Sequence, residues 1–234
     1  MDNPSPTSII KWGNIAQWAA ACATLLAVLI ALFKDEIIRL WRRPKLTASI
    51  KPASPDCVKI LQTFLINHIT VRKSECYYLR LWIWNKGRDR AEKVQVFVNE
   101  LSKRTADGTF FPIREFLPMN LRWSHSHEIF ADGISPRMGK HCDLGHITHP
   151  SVLFELNENL PEVSQGKTVL ALDLEEKPNT KSNLIPPGTY RLGLRIGGAN
   201  CSPISKTLEI TLIGDWFDDH EKMFRDGIGI KMIE

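Results

Sequence analysis

From Ile15 to Phe33 the chain reads IAQWAAACATLLAVLIALF, a run with no charged side chain and with Asn14 and Gln17 as the polar amides near its start. At about 1.5 Å per helical residue such a run crosses a hydrocarbon core of roughly 30 Å. Trp12 and Trp18 lie near one end and Trp41 beyond the other, where amphipathic rings favour the headgroup level. The pattern predicts a transmembrane helix over 15–33, preceded by a short polar tail over 1–14 that is disordered at its start. A basic juxtamembrane helix follows over 34–44 and stops at Pro44, because proline disfavours helical geometry in the residue ahead of it. Ile37, Ile38 and Trp41 fall at helical spacing and suit the bilayer surface. A secretory signal peptide fits poorly, since KDEIIRLWRRPK follows the run where a small-residue cleavage site would stand.

Beyond Lys45 the period changes from helical to alternating. KLTASI predicts a first strand, and VKILQTFLINHI is apolar but ambiguous between helix and strand. In YYLRLWIWN, Leu79, Leu81 and Ile83 point one way while Tyr78, Arg80, Trp82 and Trp84 point the other. VQVFVNEL alternates again, with Val94, Val96 and Val98 opposite Gln95, Phe97 and Asn99. Further strand candidates are TFFPI, NLRW, 140–147, VLFEL, TVLALDLE, GTYRLGLRIG and KTLEITLIG, with Gly, Pro, Asn and Ser between them. Parallel sheets need helical crossovers, which the pattern lacks, so 45–214 is predicted as an antiparallel β-sandwich. Residues 215–234 predict a short amphipathic helix over 215–225, burying Trp216, Phe217 and Met223, and an apolar tail that either adds a strand or meets a partner. The fold class is therefore mainly β, with one transmembrane helix at its N-terminal side.

Charge orients the anchor. Lys11 alone precedes the run, whereas Lys34, Arg39, Arg42, Arg43 and Lys45 follow it, which predicts an outside N-terminus and a cytoplasmic C-terminal domain. A net charge of +4 with its excess beside the membrane gives no patch for nucleic acid. The five cysteines, at 22, 57, 76, 142 and 201, form neither a dense disulfide framework nor a paired CxxC arrangement, and free thiols suit a reducing compartment. With the opposite topology, Cys57, Cys76, Cys142 and Cys201 would be able to form two bridges. Ala19, Ala23, Ala27 and Ala31 recur at every fourth position and so share one helix face, a spacing that lets two helices approach closely.

LRLWIWNKGRDRAEKVQVFV resembles the signature of bacterial immunoglobulin-like domains of the cell-adhesion-related, CARDB-like type, in which an aliphatic strand runs into Asn-x-Gly, an alanine and a second Val-rich strand. Asn85, Gly87, Ala91, Val94 and Val96 occupy that pattern. PPGTYRLGLRI, with Pro187, Gly188 and Tyr190, is similar to the strand that closes such sandwiches. The resemblance implies an immunoglobulin-like sandwich. It covers about a third of the domain, and the basic flank departs from the usual extracellular setting, so an adhesive role is not carried over. The arrangement as a whole looks like uncharacterised bacterial single-pass membrane proteins.

Candidate chemistry is concentrated in two places. His125, His127, His141, His146 and His149 cluster around Cys142 and Asp143, and imidazole and thiolate are zinc ligands. Were 140–147 a regular strand, Cys142 and His146 would share a face and His149 would reach them from the next turn. The spacing matches no zinc motif, so no metal and no cofactor is expected. No GxSxG elbow, HExxH, phosphate loop or strand-linked GxGxxG is present, and no enzyme is expected. The second place is the aromatic set Tyr78, Trp82, Trp84 and Phe97, large rings on outward positions that either mark a partner surface, or are covered by the juxtamembrane or C-terminal helix, or lie on a strand buried on both sides. The expected protein is a bacterial single-pass inner-membrane protein whose domain is a non-catalytic protein-interaction or ligand-sensing module, one version being a membrane effector in a bacterial defence system. Its partners are the bilayer and either a second protein or, through the alanine face, another copy. The alternatives are a metal-dependent enzyme centred on 125–149 and an extracytoplasmic structural module.

Overall fold

A computed structural model describes residues 15–66 and 70–233, so the expected tail over 1–14 lies outside the described residues. The chain divides into two compact units, Met1–Arg42 and Arg43–Glu234.

The first unit is one helix, α1 (Ile15–Trp41), which runs without a break through the apolar stretch into the basic segment, as the sequence predicts. Its part from Ile15 to Glu36 is long and apolar enough to cross a membrane, and none of that part is buried. Thr24 donates its hydroxyl to the carbonyl of Ala20 one turn earlier (2.9 Å), so the polar group is satisfied inside the helix.

The second unit is built from two antiparallel sheets. The first contains β1 (Leu46–Ser49), β2 (Cys57–Ile66), β3 (Thr70–Asn85), β7 (Arg122–Trp123), β9 (Gly139–Thr148), β10 (Leu170–Leu172) and β11 (Leu184–Ile185). In it β3 pairs with β9, β9 with β10 and β10 with β11, while β1 and β2 lie in line along the other edge of β3 and β7 pairs with β9. The second contains β4 (Ala91–Arg104), β5 (Phe110–Pro112), β6 (Met119–Asn120), β8 (Ala131–Ile134), β12 (Gly188–Gly198), β13 (Cys201–Leu212) and β14 (Ile228–Met232), with order β14-β13-β12-β4-β5 and with β6 and β8 also on β4. Leu79, Leu81 and Ile83 from one sheet and Val94, Val96 and Val98 from the other are fully buried in one shared core. Trp123 fills its centre and donates its indole N–H to the carbonyl of Val94 (3.1 Å).

The Asn-x-Gly turn closes this core at one end. Asn85 is fully buried. Its Oδ1 accepts from the backbone N–H groups of Lys45 (3.1 Å) and Gly87 (2.9 Å), and its Nδ2 donates to the carbonyls of Asp89 (2.7 Å) and Ile134 (2.9 Å). Gly87 sits where the backbone passes so closely that an added Cβ would lie 2.4 Å from the Arg43 carbonyl oxygen.

Two expectations are corrected, and two that were open are resolved. VLFEL is not a strand: Pro150–Val152 is a 3-10 turn, with the His149 side chain accepting from the Ser151 N–H at its start. Proline at the first helical position favours that turn, and it buries the consecutive pair Val152 and Leu153. The helix expected over 215–225 shrinks to α2 (His220–Lys222) and a wide turn over Met223–Gly227. Residues 215–219 stay extended because the Tyr77 hydroxyl donates to the carbonyls of Phe217 (2.8 Å) and Asp218 (3.1 Å), and the Asp219 side chain then caps α2 through the Lys222 N–H. The apolar tail adds β14 to the edge of the second sheet, so 215–233 belongs to the same unit as the sandwich. The ambiguous stretch from Cys57 to Ile66 is a strand, paired along its whole length with β3.

Replacing Asn85 with alanine strips the buried Gly87 N–H and Ile134 carbonyl of this partner, while the Lys45 N–H and Asp89 carbonyl lie near enough to the surface to bond water, which costs roughly 2 kcal/mol or more at about 1 to 3 kcal/mol per buried orphaned group. Urea unfolding followed by tryptophan fluorescence will show a lower midpoint with an unchanged slope.

Candidate functional site

The outer face of the first sheet carries Tyr78, Arg80, Trp82 and Trp84 on β3, as the alternation predicts, opposite His146, Asp143, His141 and Gly139 on β9. The sequence pattern does not reveal the bulge that interrupts this ladder. Leu79 pairs with Gly145 and Arg80 with Asp143, so Leu144 is an extra residue in β9. Parity therefore changes within the strand. Cys142 faces the core opposite Leu81, and His146 faces outward opposite Tyr78. The face that Cys142 and His146 were expected to share does not exist.

The other histidines separate as well. His149 turns away to bond Ser151 Oγ (2.8 Å), with its ring edge against Trp216. His125 and His127 occupy left-handed backbone positions (φ 72° and 58°) in the tight loop after β7. Among the described residues no group of three or more His, Cys, Asp and Glu side chains is placed to hold a metal ion. The Cys142 thiol donates to the carbonyl of Arg122 (3.3 Å), and burial pushes its pKa well up. The Cys57 thiol is likewise pushed up to about 12 by burial and the Asp56 charge. All five cysteines are free thiols.

On the outer face the polar side chains are fixed in pairs. His146 stacks against Tyr78, with ring centroids 5.5 Å apart and planes 25° from parallel. Its Nδ1 meets Asp173 Oδ1 (2.9 Å) and its Nε2 meets Glu158 Oε1 (3.1 Å), so both ring nitrogens are donors to carboxylates. Lys177 and Thr148 donate to the same Glu158 carboxylate (3.2 and 3.3 Å). Burial disfavours the imidazolium, but the two hydrogen bonds and two negative charges outweigh it and carry the His146 pKa up to about 10. Burial acts on Glu158 in the opposite sense, and His146 and Lys177 overcome it, holding the carboxyl below its ordinary range. Next along the face, Arg80 Nε lies 3.5 Å from Asp143 Oδ1, and Ser124 Oγ donates to that oxygen (2.5 Å). His141 Nε2 lies 3.0 Å from Asp56 Oδ1.

The tryptophans stand beside these pairs and are only half buried. Trp82 lies flat on Gly139, where an added Cβ would come within 2.5 Å of its ring, and is flanked by His141 at 4.6 Å and Trp84 at 6.1 Å between centroids. Trp82, Ser124, His125, Lys140 and His141 line a cleft of about 560 Å³. Phe97 is also outward, but on β4 of the second sheet, so it stands on the opposite outer face from Tyr78, Trp82 and Trp84. Asp56, Glu158 and Asp173 had no local signal in the sequence, because each reaches the face from a different loop. No family model, curated protein or solved structure matches the chain.

The His146 cluster makes stability depend on pH in a definite direction. Its raised pKa contributes fully below the ordinary histidine value of 6.5 and fades as pH rises towards 10. Glu158, with a lowered pKa, contributes above its ordinary value of 4.5 and ceases to as pH falls below it. Thermal unfolding of His146→Gln against the native chain will therefore show its largest deficit at roughly pH 5 to 6.5 and a shrinking deficit towards pH 10.

Proposed function

We propose that this protein is a membrane-anchored, non-catalytic recognition module, in which α1 confines the domain to the bilayer and the outer face of the first sheet binds a partner protein. The observation that carries this reading is the partly exposed Trp82–Trp84 pair, standing among side chains already locked by hydrogen bonds and stacking. Large amphipathic rings on a rigid support lose little freedom on binding, which is why tryptophan, tyrosine and arginine dominate binding energy at interfaces. Tyr78, Arg80, Trp82 and Trp84 supply all three residue types on one face. The Asn85, Gly87 and Ala91 pattern fits an immunoglobulin-like module used for binding.

The basic segment after the span favours the bacterial inner membrane with the N-terminus outside and the domain in the cytoplasm. The face of Ala19, Ala23, Ala27 and Ala31 brings copies of α1 together. Replacing Ala23 and Ala27 with leucine will lower the yield of crosslinked homodimer in membranes, and an unchanged yield removes self-association from this account.

A photoreactive amino acid placed at Trp84 will form an adduct with one second protein in native membranes, whereas the same group at Phe154, which is 82% exposed, will not. Identical adducts at both sites, or none at Trp84, overturn the reading. Trp82→Ala will weaken the Trp84 adduct while costing the domain only about 1 kcal/mol of stability.

A further inference from the structure

We propose that the partner is held as an extended polypeptide segment, laid in one continuous groove that wraps the edge of the sandwich from Trp82 to Phe97. This rests on the reading of the domain as a protein-binding module.

Three clefts meet at Phe130, a ring that is 40% exposed and lines all of them. The first, of about 560 Å³, has Trp82 and His141 in its wall. The middle one, of about 520 Å³, runs past Arg122, Glu128 and Glu175, and shares Glu128 and Asp132 with the first. The third, of about 570 Å³, has Phe97 and Arg195 in its wall and shares Lys93 with the middle one. The aromatic residues on the two outer faces thus stand at the two ends of a single path.

A compact ligand fills one cleft of this size and leaves the others empty. An extended chain advances about 3.3 Å per residue and turns alternate side chains to the same side, so a segment of a few residues reaches several clefts in succession. The backbone is also suited to such a guest. β8 pairs with β4 alone, so its second edge is unpaired among the described residues, and its Ala131 and Asp132 line the first cleft. An unpaired edge offers N–H and C=O groups to an added strand, the arrangement that gives peptide binding its affinity while side-chain pockets give it selectivity.

Charge narrows the guest further. Lys93 and Asp132 neutralise each other (3.1 Å), whereas Arg195 has no carboxylate partner among the described residues. The guest carries apolar or aromatic side chains on either side of Phe130 and an acidic group towards Arg195.

The test is to pan a random-sequence peptide display library against the full-length protein in lipid nanodiscs, then to measure the enriched peptide, made synthetically, by fluorescence anisotropy. Enriched sequences will combine aromatic and acidic residues. Phe130→Glu will weaken binding by roughly tenfold or more, and Trp82→Ala and Phe97→Ala will each weaken it severalfold. Phe130 lies outside the buried core, and Phe130→Ala, with an unchanged melting temperature, guards against misfolding as the cause. Failure to enrich any peptide, affinity that Phe130→Glu leaves unchanged, or loss with Trp82→Ala but not with Phe97→Ala overturns the groove. If the photoadduct at Trp84 persists in Phe130→Glu, recognition through the outer face stands and the groove alone falls; if there is no adduct at Trp84 in the native chain, the broader reading falls first.

Discussion

The Asn85 side-chain amide joins four backbone segments: the start of the domain at Lys45, the turn at Gly87 and Asp89, the end of β8 at Ile134, and the end of β3 on which it sits. All four of its hydrogen-bonding positions are filled, and it is fully buried. A polar group in that position is tolerable only when every bond is made, so the knot specifies one arrangement of these segments and penalises the others. The register of β1 against β3 follows from it, since Leu46 pairs with Asn85 itself. So does the position of β8, and with it the first cleft beside Trp82. The backbone N–H of Asn85 bonds the carbonyl of Met138, and its own carbonyl accepts from Arg137, which places the start of β9 and Gly139 under Trp82. Knot and aromatic face are therefore neighbours along the same two strands.

The outer face is held by ion pairs and, beside them, by a second, smaller apolar cluster of Leu153, Val169, Ala171 and Leu184, in which Ala171 is the cross-strand neighbour of His146. A regular ladder would have put Asp143 and the three residues after it in strict alternation; the bulge at Leu144 instead presents both Asp143 and His146 outward. Each then has a counter-charge within reach, Arg80 for one and Asp173 with Glu158 for the other. Burying such a set is expensive unless every partner is in place, and breaking one pair leaves a charge stranded in a low-dielectric site. The result is a rigid support on which Tyr78 and the two tryptophans are oriented.

Much of this was legible from the chain. The charge-free run from Ile15 to Phe33 gives the helix, and strict alternation gives the inward Leu79, Leu81 and Ile83 against the outward Tyr78, Arg80, Trp82 and Trp84. What was not legible has physical causes. A one-residue bulge leaves no mark on a period-two pattern, which is why Cys142 and His146 were paired in expectation. Phe97 was grouped with the tryptophans because alternation reports inside or outside but not which sheet is outside. Two local features defeated apolar patterning: a proline-led turn that buries Val152 and Leu153 in succession, and a tyrosine hydroxyl that holds 217 and 218 extended. Asp56, Glu158 and Asp173 reach the face only through tertiary contacts.

The most direct measurement is hydroxyl-radical footprinting of side chains in native membranes compared with the purified protein. If the face between β3 and β9 and the adjoining groove are occupied by a partner, Trp82, Trp84 and Phe130 will be less oxidised in native membranes, while Phe111 and Phe154 on other exposed surfaces will react equally in both. Equal oxidation of Trp82, Trp84 and Phe130 in the two preparations would contradict the account.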